Sequence, residues 1–243
     1  MANSRELNTT TLLTDPSIIS YYRFEGNFND SSGNGFNGTG STSPTSVPSG
    51  GKFGGGYDWN GTTDNISATL TGETPFNGAW TFNAWIEPDT LGEGVADDYA
   101  RIFDMGGKTN FRLSSESGSN MKMRFTQAYS GPDGGWTTDD FVIPKNTYTM
   151  VSVVFNGTTA GTHPVIYVNG VVTAITNYAA PTGTIETSTN YNLGNNVNSG
   201  VRAYDGAMDD VSLFSRALTA TEILNLYHIS SGSSGSSNFF LMF

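Results

Sequence analysis

The chain has 243 residues, with 22 Asp and Glu against 11 Lys and Arg for a net charge of −11, 30 Gly, 9 Pro and no Cys. The acidic balance argues against a nucleic-acid partner, because binding a phosphate backbone draws on clustered Lys and Arg. The lack of Cys removes disulfides, thiolate zinc sites and cysteine nucleophiles together.

Residues 1–17 are polar and Thr-rich, and they end at Asp15-Pro16, where proline disfavours helix for its predecessor, so they read as an N-terminal arm. They lack a basic-then-apolar leader, and no apolar run approaches the ~20 residues of a transmembrane helix, so neither a Sec signal nor a membrane span is expected. Residues 18–229 alternate short apolar runs with Gly, Asn, Asp, Ser and Thr turns, the pattern of an all-β domain of many short strands. The expected strands are Ile18–Phe24, Ile66–Leu70, Ala79–Ile86, Arg101–Met105, Asn110–Leu113, Met121–Gln127, Thr147–Asn156, Val165–Val168, Val171–Thr176, Tyr191–Leu193 and Gly206–Phe214. Within Trp80–Ile86, period-2 geometry sends Trp80, Phe82, Ala84 and Ile86 to one side and Thr81, Asn83 and Trp85 to the other. Asn169-Gly170, between Tyr167-Val168 and Val171-Val172, marks a type I′ hairpin. One helix is clear: Thr219-Ala220-Thr221-Glu222 is a capping box opening Ile223–Tyr227. The end, residues 230–243, is a Gly/Ser tether followed by Phe239-Phe240-Leu241-Met242-Phe243.

Five segments carry a family resemblance: Tyr21–Gly35, Tyr57–Ile66, Trp80–Pro88, Ile166–Gly170 and Tyr204–Thr219. In this order they resemble the laminin-G-like (LamG) domain of the concanavalin A-like lectin/glucanase superfamily. The resemblance implies a two-sheet antiparallel jelly-roll sandwich with one short C-terminal helix. It does not fix a function, because the fold hosts lectins, glycosidases, adhesins and structural modules alike.

Four constellations could carry chemistry. The turn Glu25–Asn34 crowds carboxylates and amides into ten residues, and Ca²⁺ takes six to eight such oxygens. The resemblance implies a structural Ca²⁺ between this turn and the last strand, held by Glu25, Asn27, Asp30 and Asp209, with Asp210 as the substitute. An Asx-turn loop capping its own backbone is the alternative. Glycosidases that resemble this family carry two carboxylates at alternate positions of one strand, and the nearest string is Glu87-Pro88-Asp89-Thr90-Leu91-Gly92-Glu93. Pro88 is expected to break that strand, and no triad surrounds His163 or His228, so no catalytic residue is expected. A loop bearing Tyr129, Asp133 and Trp136, with a second bearing Asp98 and Tyr99, mixes aromatic faces and carboxylates as glycan patches do, unless Trp136 folds back as a lid on the core. The tail, Phe239 to Phe243, suits docking on a partner. Together these give the expected function: a non-catalytic recognition or adhesion module, binding a glycan or cell surface. It is displayed by its arm and tail on a larger or oligomeric assembly, at an extracellular or virion surface as a decoration or fibre protein. A glycoside hydrolase or lyase, or a purely structural surface protein, is the rival.

Overall fold

The computed structural model describes residues 11–40, 42–73, 77–92, 100–157, 159–195 and 202–230. In chain order the strands are β1 (Ile18–Tyr22), β2 (Thr39–Gly40), β3 (Thr45–Val47), β4 (Gly56–Asn60), β5 (Ile66–Thr69) and β6 (Ala79–Thr90). Next come β7 (Arg101–Met105), β8 (Thr109–Ser117), β9 (Asn120–Gln127), β10 (Gly134–Thr138), β11 (Ile143–Pro144) and β12 (Thr149–Asn156). Then β13 (Val165–Val168), β14 (Val171–Thr173), β15 (Ile175–Ala179), β16 (Asn190–Leu193) and β17 (Asp205–Phe214) precede the helix α1 (Ala220–Ser230).

The strands form two sheets. An eight-stranded sheet runs β14-β13-β12-β6-β17-β4-β3, with β1 also beside β17, and a nine-stranded sheet runs β15-β10-β9-β8-β7-β16-β5-β2, with β11 beside β9. Their facing sides share one aromatic core. Trp80 of β6 stacks on Phe155 of β12 at 5.9 Å and meets Phe125 of β9 at 5.6 Å, while Phe82 stacks on Phe103 of β7 at 4.9 Å. The alternation seen in the sequence of β6 therefore points its apolar set inward.

The opposite side of β6 is buried as well. Trp85 joins a second cluster with Tyr21, Met150, Leu218, Ile223 and Leu226, covered by α1 and by Leu12 from the N-terminal segment. Thr81 Oγ1 donates to the Arg216 carbonyl at 2.8 Å and accepts from Leu218 N–H at 2.9 Å, seating the approach to the helix. Arg216 bridges Asp15 and Glu222, at 2.6 Å to each, and so ties the segment before β1 to the first turn of α1.

Two expectations change. The stretch Tyr129–Asp140 was expected as a loop, yet its centre is β10, paired with β9 and β15. Pro88 was expected to end its strand, but β6 continues to Thr90. The missing N–H is tolerated because the register against β17 shifts there, while the Pro88 carbonyl still accepts from Asn146 N–H at 2.9 Å.

Candidate functional site

The first and last strands lie side by side, Tyr22 opposite Val211, which brings Glu25 into the neighbourhood of Asp209. The proposed calcium set divides, however. Asp30 Oδ1 accepts from the N–H of Tyr21 and Ser32, each at 2.9 Å, and Oδ2 accepts from Phe36 N–H at 3.0 Å. Asn27 Oδ1 accepts from Asn29 N–H at 2.9 Å. Both side chains do turn work, satisfying backbone donors of the loop. Asp210 Oδ1 accepts from the Tyr21 hydroxyl at 2.5 Å.

Glu25 and Asp209 are placed differently. Glu25 accepts from Gly55 N–H at 3.2 Å, and Asp209 accepts from Phe53 N–H at 2.8 Å, so two carboxylates grip one glycine-rich loop. A Cβ at Gly51 would lie 2.9 Å from Asp209 Oδ2, and one at Gly54 would lie 2.7 Å from Glu25 Oε1, so side chains there would fill the space between loop and carboxylates. Asp209 is fully buried. Burial, then the charges of Asp210 and Glu25, push its carboxyl well above the usual carboxylate range. Among the described residues no three His, Cys, Asp or Glu side chains converge as a metal shell. The carboxylates of Glu25 and Asp209 are likewise engaged by backbone N–H groups, Asp209 Oδ1 by that of Asp210 at 2.8 Å; what sets this pair apart is that both face one glycine-rich loop.

The continuation of β6 puts Glu87 and Asp89 at alternate positions, with Asp58 of β4 and Glu87 both in register with Ala207 of β17. Burial and then Asp89 and Asp58 raise the Glu87 carboxyl, and burial and then Asp205 raise that of Asp89. Lys52, whose Nζ sits 4.2 Å from the Trp85 ring centroid, partly offsets the charge on Glu87.

The expected ligand loop is mostly core. Trp136 is 0% exposed, stacked on Phe125 at 5.7 Å, and Tyr129 is also buried. Asp133 Oδ1 accepts from Tyr129 N–H at 3.1 Å and closes the turn before β10. Neither aromatic offers a face to a ligand, which corrects the patch reading: a large ring on a strand between two sheets gains most by burial. Asp98 and Tyr99, and Phe239, Phe240, Leu241, Met242 and Phe243, lie outside the described residues.

A different polar surface exists on the outer side of the nine-stranded sheet. Cross-strand partners share a face, and one row runs Thr126–Asn110–Asp104–Asn192–Ser67–Thr39 over six strands, with Asn110, Asp104 and Asn192 buried and the two ends open. The adjacent row is Thr137–Arg124–Arg112–Arg101. The residues between them along the strands, such as Phe103, Phe111, Phe125 and Tyr191, belong to the core. At one end Asn65, Ser67, Ala68, Thr69, Asn190 and Asn192 line a cleft of about 300 Å³. At the other, the Tyr178 hydroxyl lies 3.2 Å from Thr126 Oγ1 and accepts from Arg112 at 3.4 Å, and the Arg124 guanidinium lies 4.7 Å from the Tyr178 ring centroid. Tyr178 is 46% exposed. Amides, hydroxyls, guanidinium groups and one open aromatic ring together match sugar hydroxyls and C–H faces. This surface lies on strands, not on the loops. Its signal was the polar half of each strand's alternation: Asn110 and Arg112, Lys122, Arg124 and Thr126, Asn190 and Asn192.

The Laminin_G_3 family model, described as concanavalin A-like lectin/glucanases superfamily, matches residues 60–224. No curated protein is similar in sequence. Among solved structures, domain 4 of AbnA, a GH43 extracellular arabinanase from Geobacillus stearothermophilus, in complex with arabinotriose, aligns with a TM-score of 0.62 at 20% identity, over 87% of this chain and 98% of that one. The binding domain of Paraclostridial Mosquitocidal Protein 1 aligns with a TM-score of 0.65 at 16% identity, over 88% of this chain and 52% of that one. The binding domain of botulinum neurotoxin DC in complex with SialylT aligns with a TM-score of 0.63 at 14% identity, over 90% and 52%. The chain thus spans about half of the toxin binding domains and nearly all of the arabinanase domain, and at these identities the likeness is one of fold. With two antiparallel sheets, one short helix and the family match over most of its length, the chain belongs to the concanavalin A-like lectin/glucanases superfamily.

Proposed function

We propose that the chain is a non-catalytic carbohydrate-binding module whose glycan site is the outer face of the nine-stranded sheet. The observation that carries this reading is the pair of accessible polar groups at the two ends of that face, Tyr178, Arg124 and Thr126 at one and Ser67, Thr69 and Asn190 around the cleft at the other, with Asn110, Asp104 and Asn192 buried between them. Support from outside the chain comes from neighbours of the same fold whose structures hold arabinotriose or SialylT. The test is oligosaccharide binding by calorimetry with a Ser67→Ala, Asn190→Ala variant. These positions flank the cleft and lie outside the core, so affinity should fall about tenfold or more, since one or two hydrogen bonds are lost at about 1 kcal/mol each. Unchanged affinity would move the site elsewhere.

Calcium belongs to this reading as a staple between β17 and the glycine loop, held by Glu25 and Asp209. When bound it would supply positive charge beside the buried Asp209 carboxylate, with the exposed Glu25 at the rim. Calcium should raise the melting temperature and EDTA should lower it; identical melts with no bound metal would remove the site.

Glu87 and Asp89 favour one rival reading, glycoside hydrolysis, because two adjacent carboxylates with raised proton affinity are the raw material of a general acid and its partner. Release of reducing ends that disappears in Glu87→Gln would establish that reading. Display on a larger assembly, a virion surface included, would depend on the terminal segments. Deleting residues 231–243 should then leave a folded sandwich that no longer assembles; retained assembly would rule the tail out.

A further inference from the structure

The outer face of the nine-stranded sheet presents two part-exposed basic side chains, Arg124 and Lys122, above the buried Arg101 and Arg112, in a chain that is acidic as a whole. Arg101, Arg112 and Arg124 occupy directly opposed positions on three neighbouring strands, and Lys122 lies two residues before Arg124 on the same face. Like charges directly opposite one another disfavour strand pairing. The carboxylate set into the rows is Asp104, whose Oδ2 lies 3.7 Å from Arg101 Nε at one end of the series. Lys122 Nζ donates to the Asp139 carbonyl at 2.7 Å, and Lys108 and Glu186 pair with each other at the sheet's margin.

The corner at Tyr178 is built to present one of these charges. A Cβ at Gly135 would lie 2.4 Å from Tyr178 Cζ, so glycine at that strand position is what lets the ring lie down on the sheet. Arg112, 5% exposed, holds the ring hydroxyl from beneath together with Thr126. Arg124 is only partly buried and rests its guanidinium on the ring. Stacking fixes the plane of the guanidinium, and a planar fork of donors fits a carboxylate or another oxyanion in bidentate fashion.

We propose that this face selects an acidic glycan, one bearing carboxylate or sulfate groups, with Arg124 as the anion partner and the exposed Tyr178 ring as the platform for the neighbouring sugar. The assignment rests on the glycan reading of the same sheet and adds the charge of the ligand to it. Neutral sugar units fit the amide cleft around Asn190 and Ser67; the anionic unit belongs at Arg124, across the sheet.

Calorimetry with three probes tests it: an oligogalacturonate, a sulfated oligosaccharide, and a neutral arabino-oligosaccharide, each with the unaltered chain and with Arg124→Gln, whose melt and circular dichroism check the fold. At least one acidic probe should bind about tenfold or more tighter than the neutral one, because a charge-assisted contact is roughly twice as strong as a neutral one. That advantage should shrink with added salt and vanish in Arg124→Gln, whose affinity for the acidic probes should fall to its affinity for the neutral one. Which acidic probe binds decides between carboxylate and sulfate. Equal, salt-insensitive binding of all three would overturn the charge assignment and leave the glycan site standing. No binding of any probe would overturn both. If Arg124→Gln melts early, Gly135→Ala, which displaces Tyr178, provides the second variant and should cause the same selective loss; retained selectivity there would also count against the proposal.

Discussion

The carboxylate of Asp30 accepts three backbone N–H groups, from Tyr21, Ser32 and Phe36, at the point where the chain leaves β1. Asp30→Ala strands those donors in a partly buried loop and should cost about 2 kcal/mol or more in urea denaturation, with or without calcium. Dependence of that loss on calcium would instead make Asp30 a ligand. Arg216 holds the Asp15 and Glu222 carboxyls down to about 2 in each case, through hydrogen bonds from its guanidinium. Groups with depressed folded values stabilise above their unfolded values, here 3.8 and 4.5, and lose that contribution as pH falls toward 2. The fall in stability between about pH 4.5 and 2 should therefore be shallower in Arg216→Gln than in the unaltered chain; parallel curves would show that the pairs contribute nothing. Asp209 has the opposite sign. Its raised value means stability is present at low pH and declines as the pH climbs through that value, and a bound cation would counter the decline.

Among the elements, those specified by local chemistry were the legible ones. Asn169 and Gly170 both take positive φ, at 50° and 78°, as a type I′ turn requires. Thr219 and Glu222 form the reciprocal cap, with Glu222 N–H donating to Thr219 Oγ1 at 3.2 Å and Thr219 N–H donating to Glu222 Oε2 at 2.7 Å. Thr219→Ala should cost about 1 kcal/mol, measured by chemical denaturation, and a change near zero would mean that packing on Trp85 holds α1 without its cap. Of the strands that escaped notice, β2, β3, β4, β10 and β11, the longest are β4 with Gly56 and β10 with Gly134 and Gly135; both are rich in turn residues by composition, and only their neighbours in the sheet make them strands. Glycine at 135 is required by the ring of Tyr178, 43 positions later in the chain, which no local pattern could reveal. Pro88 misled for the same reason: a register shift against β17 accommodates it, and that shift is a property of the pairing.

At the scale of the whole molecule, the family and its two-sheet plan could be read from ordered segments, because apolar alternation and turn chemistry survive in sequence. The face proposed for glycan binding could not, because it is assembled across the sheet from residues as far apart as Ser67, Arg124, Tyr178 and Asn190, each ordinary in its own strand. Burial divided the functional candidates differently from sequence: Trp136 went to the core, Asp30 and Asn27 to a turn, and Tyr178 and Phe141 are the open aromatics among the described residues. The eight-stranded sheet spends its outer side on α1, Leu12 and the glycine loop, whereas the nine-stranded sheet carries a polar outer side. The most direct measurement of the central claim is an amide and side-chain chemical-shift map of the labelled chain titrated with oligosaccharide. Saturable shifts confined to β5, β8, β9, β15 and β16, centred on Ser67, Arg124, Tyr178 and Asn190, are expected. Shifts clustered instead around Glu87 and Asp89 on the opposite sheet, or no shifts with any neutral or acidic glycan, would contradict it.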